Sequence, residues 1–284
     1  MSNNALYIYG IIRTNKDWKE HGIKESNVFL INEGNFSAIV HGCEEKPYNS
    51  ANPIEVRNLI LAHNRVLDKA MKDFGAVIPL SFNTIIKTSK PQNSENLKTK
   101  DELGKEKTAE ENLKSWLKDN EENLLKIWDK INGKKEYGIR IYYEKEKLLK
   151  KIEEIHEIKQ LQQKTQIESA GMAYLLKGKI KDEIDKIAQK QIFEYKQSFY
   201  NNIKGLVYDI TINQSKILLD EEKDLLLSIS ILVNKEQIQK VNGYLLNSNF
   251  YFNIAGPFAP YSFVNPQKSE VSGTQKNGGF CRNG

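Results

Sequence analysis

Cysteine is nearly missing from this chain of 284 residues: Cys43 and Cys281 are the only two, the second in a Gly/Asn-rich tail. That is neither a disulfide framework nor a zinc spacing, and two free thiols are the simplest reading. Long hydrophobic runs are missing too, since no stretch approaches the roughly 20 apolar residues of a membrane span. Met1-Ser2-Asn3-Asn4 leads straight into a strand without a basic n-region and an apolar h-region, which predicts a chain that is not exported and resides in the cytoplasm. Histidine is scarce and scattered: His21, His41, His63 and His156 form no metal-ligand spacing. The segment from Gly171 to Lys179 has two glycines and a lysine but neither the Walker spacing nor a following Ser/Thr, so no phosphate loop is expected. No catalytic, cofactor-binding or metal residues are expected.

What remains is a protein with enough apolar content to build a core, 39% hydrophobic and 28% charged. Residues 1–133 hold 19 basic and 19 acidic side chains, leaving 23 and 18 for the rest. The C-terminal excess is interleaved with acids, as on solvated helix faces, whereas a nucleic-acid footprint is more one-sided.

Residues 6–12, 28–31 and 36–41 read as strands, the last two as a hairpin. Pro53 opens a helix whose apolar stripe runs through Val56, Leu59, Ile60, Val66, Leu67, Ala70, Met71 and Phe74, ending near Gly75. His63 falls on that stripe and is expected as a core or interface histidine, not a base. Residues 76–86 read as extended chain, with Pro79 marking an edge strand. The lysine-rich interval 87–107 reads as an exposed loop. Leu113 to Ile131 reads as one amphipathic helix, with Trp116 and Trp128 both on its buried face.

The second half opens with a strand at 137–143. A helical region from 144 to about 200 follows, with breaks expected at Gly171 or Gly178. Strands at 205–212 and 225–233 come next, then a helix at 235–247 capped by Asn234 with Gln237, and a strand at 249–255. Strand, helix, strand, strand, helix, strand is the ferredoxin-like order. The expected fold class is α+β. It comprises an N-terminal α+β sandwich (1–133), a C-terminal ferredoxin-like domain with extra helices (134–265) and a tail (266–284) that is flexible or docks across the domain interface. The aromatic-proline arm Gly256-Pro257-Phe258-Ala259-Pro260-Tyr261-Ser262-Phe263-Val264 reads as non-helical. Phe258, Tyr261 and Phe263 are expected to pack back and tie the second domain to the first.

Two chemical alternatives are weaker. Cys43 and His41 sit too close along a strand end to be read as nucleophile and base, and Asp220 to Asp224 lacks the alternation and glycine of a calcium loop. A ferredoxin-like sheet also allows an RNA-binding regulatory protein, with Tyr142, Tyr143 or Tyr208 as stacking platforms, although the basic-aromatic strand signature is absent.

Six motifs in order carry a resemblance. They are Tyr7-Ile8-Tyr9-Gly10-Ile11, Ala62-His63-Asn64-Arg65-Val66-Leu67, Val77-Ile78-Pro79-Leu80-Ser81-Phe82-Asn83-Thr84, Tyr137-Gly138-Ile139-Arg140-Ile141-Tyr142, Ala170-Gly171-Met172-Ala173-Tyr174-Leu175 and Gly256 to Phe263. Together they resemble the gas vesicle protein GvpF/GvpL family from residue 5 to about 264. Residues 87–107 and 266–284 depart from its pattern. The resemblance implies a non-enzymatic accessory protein of gas vesicle assembly that contacts the hydrophobic shell protein GvpA and other gas vesicle accessory proteins. It also implies a place on the gas-facing side of the shell. No nucleic acid and no membrane are expected as partners. Partner-binding or inter-domain candidates are His63, Pro79, Phe82, Phe258, Tyr261 and Phe263.

Overall fold

The computed structural model describes residues 4–14, 16–88, 107–167, 169–213 and 223–264. These divide into two compact units: one runs up to Lys130 and takes in Pro260 to Val264, and the other is Ile131–Ala259. The boundary expected after residue 133 thus falls three residues earlier, and the end of the arm returns to the first unit. The tail 266–284, Asp220 to Glu222 and most of the lysine-rich interval lie outside the described residues.

The first unit is an antiparallel sheet of β1 (Ala5–Ile12), β2 (Glu20–His21), β3 (Asn27–Glu33), β4 (Phe36–Cys43), β5 (Ile78–Pro79) and β6 (Ile85–Lys87). Its order is β2-β3-β4-β1-β5, and β6 pairs with β1 further along. β1 is buried along its whole length, as a strand must be when helices cover both faces. Helix α1 (Pro53–Phe74) covers one face. On the other, Phe36 meets Trp128 with ring centroids 6.4 Å apart. Phe36 and His41 point to opposite faces because side chains alternate along β4. A bulge between Ile8 and Gly10 turns Gly10 toward α1. A side chain there would stand 2.8 Å from the Ile78 carbonyl and 2.9 Å from Leu67 and Val77, so glycine is required.

The helix expected over residues 113–131 is two helices, α2 (Ala109–Asp119) and α3 (Glu121–Ile131). Asn120 separates them by turning its side-chain amide back to the Trp116 carbonyl at 2.8 Å, the local competition by which asparagine ends helices. The break re-aims the apolar stripe. Leu113, Leu117, Leu124, Trp128 and Ile131 are buried, but Trp116 is 38% exposed, against expectation.

In the second unit, β7 (Lys135–Tyr143), β8 (Asp209–Ile212), β9 (Asp224–Val233) and β10 (Tyr251–Phe258) form an antiparallel sheet ordered β10-β7-β9-β8, the ferredoxin-like arrangement. Between β7 and β8 lie α4 (Lys145–Glu153), α5 (His156–Ile167) and α6 (Ala170–Lys204). Helix α7 (Lys235–Leu246) starts with the expected capping box, Asn234 accepting from the Gln237 amide and Gln237 from the Asn234 amide. One core joins Ile139, Ile141, Ile229 and Ile231 to Phe199 and Ile203 of α6 and to Val241 and Leu245 of α7. A second core joins Leu148, Ile152 and Ile158 to Ile180, Ile184 and Ala188, so the 35-residue α6 serves both.

Four further expectations are corrected. The helical region breaks between Glu153 and His156 and between Ile167 and Ala170, while Gly171 and Gly178 lie inside α6. Both glycines face open space, where glycine costs a helix only about 1 kcal/mol. Residues 205–208 are not strand, because the Gly205 and Leu206 amides bond back to Asn201 and Ile203 and finish α6. The last strand runs on to Phe258, with Gly256 at φ 136. The arm also contains a helical turn, α8 (Tyr261–Val264), where the Phe263 amide bonds to the Pro260 carbonyl at 3.1 Å. Proline suits a helix start, where its missing N–H costs nothing.

Candidate functional site

Helix α1 is placed by its N-terminus. Asn52 Oδ1 accepts from the Ile54 amide at 2.9 Å, and Pro53 supplies a helical φ at the first position. The stripe Leu59, Ala62, His63, Val66, Leu67 then faces β1, which brings His63 against Tyr7 and Tyr9.

His63 has both ring nitrogens engaged. Tyr7 Oη lies 2.8 Å from Nδ1 and Tyr261 Oη lies 2.9 Å from Nε2. Tyr7 Oη already accepts from the Asn83 amide at 3.1 Å, and Tyr261 Oη donates to Asn64 Oδ1 at 3.4 Å. Using every proton once gives one direction. The Asn83 amide donates to Tyr7, the Tyr7 hydroxyl to His63 Nδ1, His63 Nε2–H to Tyr261, and the Tyr261 hydroxyl to Asn64. This is the neutral Nε2–H tautomer. Burial pushes the imidazole down to about 4, with the Leu80 carbonyl acting weakly in the opposite direction.

The network extends across β1. His41 stacks on Tyr7 with centroids 5.0 Å apart, its Nε2 lies 2.9 Å from Tyr48 Oη, and it is likewise pushed down to about 4 by burial. Tyr9 Oη accepts from the Ile23 amide, and burial raises its hydroxyl to about 12. Burial also raises Tyr7 and Tyr261. Asn83 is the corner piece. It adopts the left-handed φ of 68 that asparagine tolerates better than most residues, and it exchanges two side-chain hydrogen bonds with the Tyr48 backbone, both 2.9 Å.

The sequence-derived candidates divide clearly. His63, Tyr261 and Phe82 come together, Phe82 standing edge-on to Tyr7 and His63 at 6.3 and 6.0 Å. Pro79 pairs with Gly10, but its strand is two residues long and buried, so the docking edge expected there is not available. Phe263 is buried, with Lys130 Nζ 5.6 Å from its ring centroid. Phe258 was expected to pack back; it ends β10 in the other unit and is 48% exposed. Tyr7, Tyr48, His41 and Asn83 were missed as network members. The signals were the paired tyrosines ahead of Gly10 and an asparagine just past Pro79, but Asn83 lies 35 residues from Tyr48 and 76 from Tyr7, a match that cannot be made without the fold.

Chemically the cluster is a hydrogen-bond relay centred on His63, both of whose ring nitrogens are engaged. His41 pairs its Nε2 with Tyr48 while its Nδ1 is buried without a partner, and burial raises the Cys43 thiol. Among the described residues no three His, Cys, Asp or Glu side chains are grouped to hold a metal ion, and no helix is long and apolar enough to cross a membrane.

Known proteins share this sequence pattern and fold. The family model for "Gas vesicle synthesis protein GvpL/GvpF" matches residues 5–265. Gas vesicle protein L of Haloferax mediterranei is 22% identical over 258 residues, covering 87% of this chain and 74% of that one. Gas vesicle protein L1 of Halobacterium salinarum is 19% identical over 279 residues, covering 92% and 91%. The crystal structure of GvpF from Anabaena superposes with a TM-score of 0.67 at 18% identity, covering 92% of this chain and 98% of that one. GvpF from Microcystis aeruginosa superposes with 0.59 at 16% identity, covering 92% and 99%. The family match spans both sheets and ends just past α8, and on that evidence the chain belongs to the GvpL/GvpF family of gas vesicle synthesis proteins.

Proposed function

We propose that this protein acts in gas vesicle assembly without catalysing a reaction, by binding the hydrophobic shell subunit GvpA and taking a place on the gas-facing side of the shell. Family membership supports the assembly role. The observation that supports a binding mode is the edge strand β10. It pairs with β7 on one side, carries no strand on the other among the described residues, and is exposed or half-exposed along all eight residues. An unpaired row of backbone donors and acceptors of this length recruits an extended segment by strand addition. Phe258 on that strand offers apolar contact to a shell segment that would otherwise self-associate.

The test is a pull-down of purified shell subunit by the full chain and by an A255K/F258K variant. Both side chains are exposed, so the variant keeps its fold, while lysines on an edge discourage strand addition. Binding that drops at least tenfold in the variant is the expected result. Wild-type capture no better than that of an unrelated α+β domain overturns the reading, and strongly salt-dependent binding of single-stranded RNA in its place would favour a regulatory role. For the gas-facing location, intact vesicles should protect the protein from protease and collapsed vesicles should not.

A further inference from the structure

The sheet of the second unit has two unlike faces. Ile139, Ile141, Ile229 and Ile231 pack on α6 and α7, and the residues that alternate with them point the other way. On that second face the pairing register sets Asn253 of β10, Arg140 of β7 and Ser228 of β9 side by side, with Ala255, Gly138 and Ser230 in the next row. Residues directly opposite on antiparallel strands hold their Cβ atoms about 5 Å apart, so the first row is three hydrogen-bonding side chains within reach of one small group. Both rows line a cavity of about 520 Å³.

The first row is unanswered. Arg140 is half-buried, yet its guanidinium makes no hydrogen bond or ion pair among the described residues. Ser228 is only 6% exposed, and its hydroxyl is likewise without a partner among them; the Asn213 amide takes the Ser228 carbonyl, at 2.8 Å. In the next row Ser230 is matched, its Oγ accepting from Asn213 Nδ2 at 3.2 Å. The acid of the cavity, Glu136, lies four positions along β7 from Arg140, roughly 13 Å at strand spacing, and has a partner of its own. Taking a guanidinium and a hydroxyl partly out of water without an acceptor costs free energy that an incoming acceptor recovers. The fixed fork of N–H donors on arginine matches the oxygens of a carboxylate or a phosphate, and Ser228 and Asn253 flank it with further donors. Beside the fork there is room, since a side chain at Gly138 would meet nothing within 4 Å.

We propose that this face binds a small organic oxyanion, a carboxylate or a phosphate monoester, whose oxygens accept from the side chains of Arg140, Ser228 and Asn253 and whose body lies over Gly138 and Ala255. The volume is in the range of small-molecule sites, which place a few convergent polar groups to fix orientation. The site uses side chains on the face of the sheet, whereas strand addition uses the backbone edge of β10, so the two readings fail separately.

Isothermal titration of the full chain with phenyl phosphate and with benzoate separates the two oxyanions, and benzyl alcohol controls for the apolar body. At least one anion should bind at millimolar concentration or below, and more tightly than the alcohol. Arg140→Gln should weaken that binding roughly tenfold or more, the weight of hydrogen bonds to a charged group. It should leave the thermal midpoint of the free protein unchanged or raised, because the guanidinium has no acceptor to lose. Ser228→Ala should weaken binding severalfold and carries the test where Arg140→Gln perturbs folding. No binding of either anion at millimolar concentration overturns the proposal, as does benzyl alcohol binding as tightly as they do. Affinity unchanged in Arg140→Gln, or in Ser228→Ala where the first variant does not fold, overturns it as well.

Discussion

His63 Nε2 lies 2.9 Å from Tyr261 Oη, a contact that joins residues 198 positions apart and anchors α8 to α1 within the first unit. The arm that begins as the last strand of the ferredoxin-like sheet therefore ends on a relay rooted in β1. The bond is short and part-buried, and the same imidazole carries the buried bond to Tyr7.

Tyr261→Phe should cost about 1–3 kcal/mol, since it leaves His63 Nε2–H unpaired in a buried site while keeping the ring. All three tryptophans, Trp18, Trp116 and Trp128, belong to the first unit, so tryptophan fluorescence in urea reports its unfolding. A midpoint equal to that of the wild type would show that the contact adds nothing.

Acid should destabilise the first unit before its carboxylates titrate. His41 and His63 have ordinary values near 6.5 and folded values of about 4, so both are neutral when folded and take up protons on unfolding below pH 6.5. Stability is fully present above that value and falls as the pH drops toward 4, by about 1.4 kcal/mol per pH unit for each histidine. His63→Gln should halve the slope of unfolding free energy between pH 6.5 and 5. An unchanged slope would remove His63 from the account.

Asn83→Ala should be among the costlier substitutions in the first unit, at about 2 kcal/mol or more. It discards both side-chain bonds to Tyr48 and places a residue with little tolerance for left-handed backbone at φ 68. Asn83→Gly should recover only the backbone share. Denaturant midpoints of the two variants separate these contributions, and equal midpoints would mean that the φ matters little.

Gly10→Ala tests the packing of α1 on β1. The added methyl would meet the Ile78 carbonyl at 2.8 Å, and a backbone oxygen cannot yield as a flexible side-chain end can. A loss of about 1–3 kcal/mol is expected from overpacking. Circular dichroism melts check it, with Gly138→Ala, where a side chain has open space, as the neutral comparison.

Elements with strong local signals were legible. The α1 stripe, the capping box at Asn234 and the alternation of β7 and β9 depend on neighbours within a few residues, and each lies where the sequence places it, except that Ile60 of the stripe is exposed. Where two local readings competed, the fold decided. Asn120 could sit in a helix or end one, and it ends one because its amide reaches the Trp116 carbonyl while the two half-helices bury separate stripes. Gly171 and Gly178 look like breakers, yet a long helix anchored from Ile180 onward in two cores carries them.

By itself the sequence determined the α+β class, the ferredoxin-like order of the second half and membership in the GvpL/GvpF family, because periodicity, caps and ordered motifs are properties of short segments. Only the tertiary structure decided that Tyr7, His63 and Tyr261 form one directed relay, that Phe258 stays exposed on an open edge, and that Tyr142 carries a buried hydroxyl with no partner. Hydrogen bonds and burial depend on which distant segments meet. That meeting is set by the packing of whole sheets and helices, which no local pattern encodes.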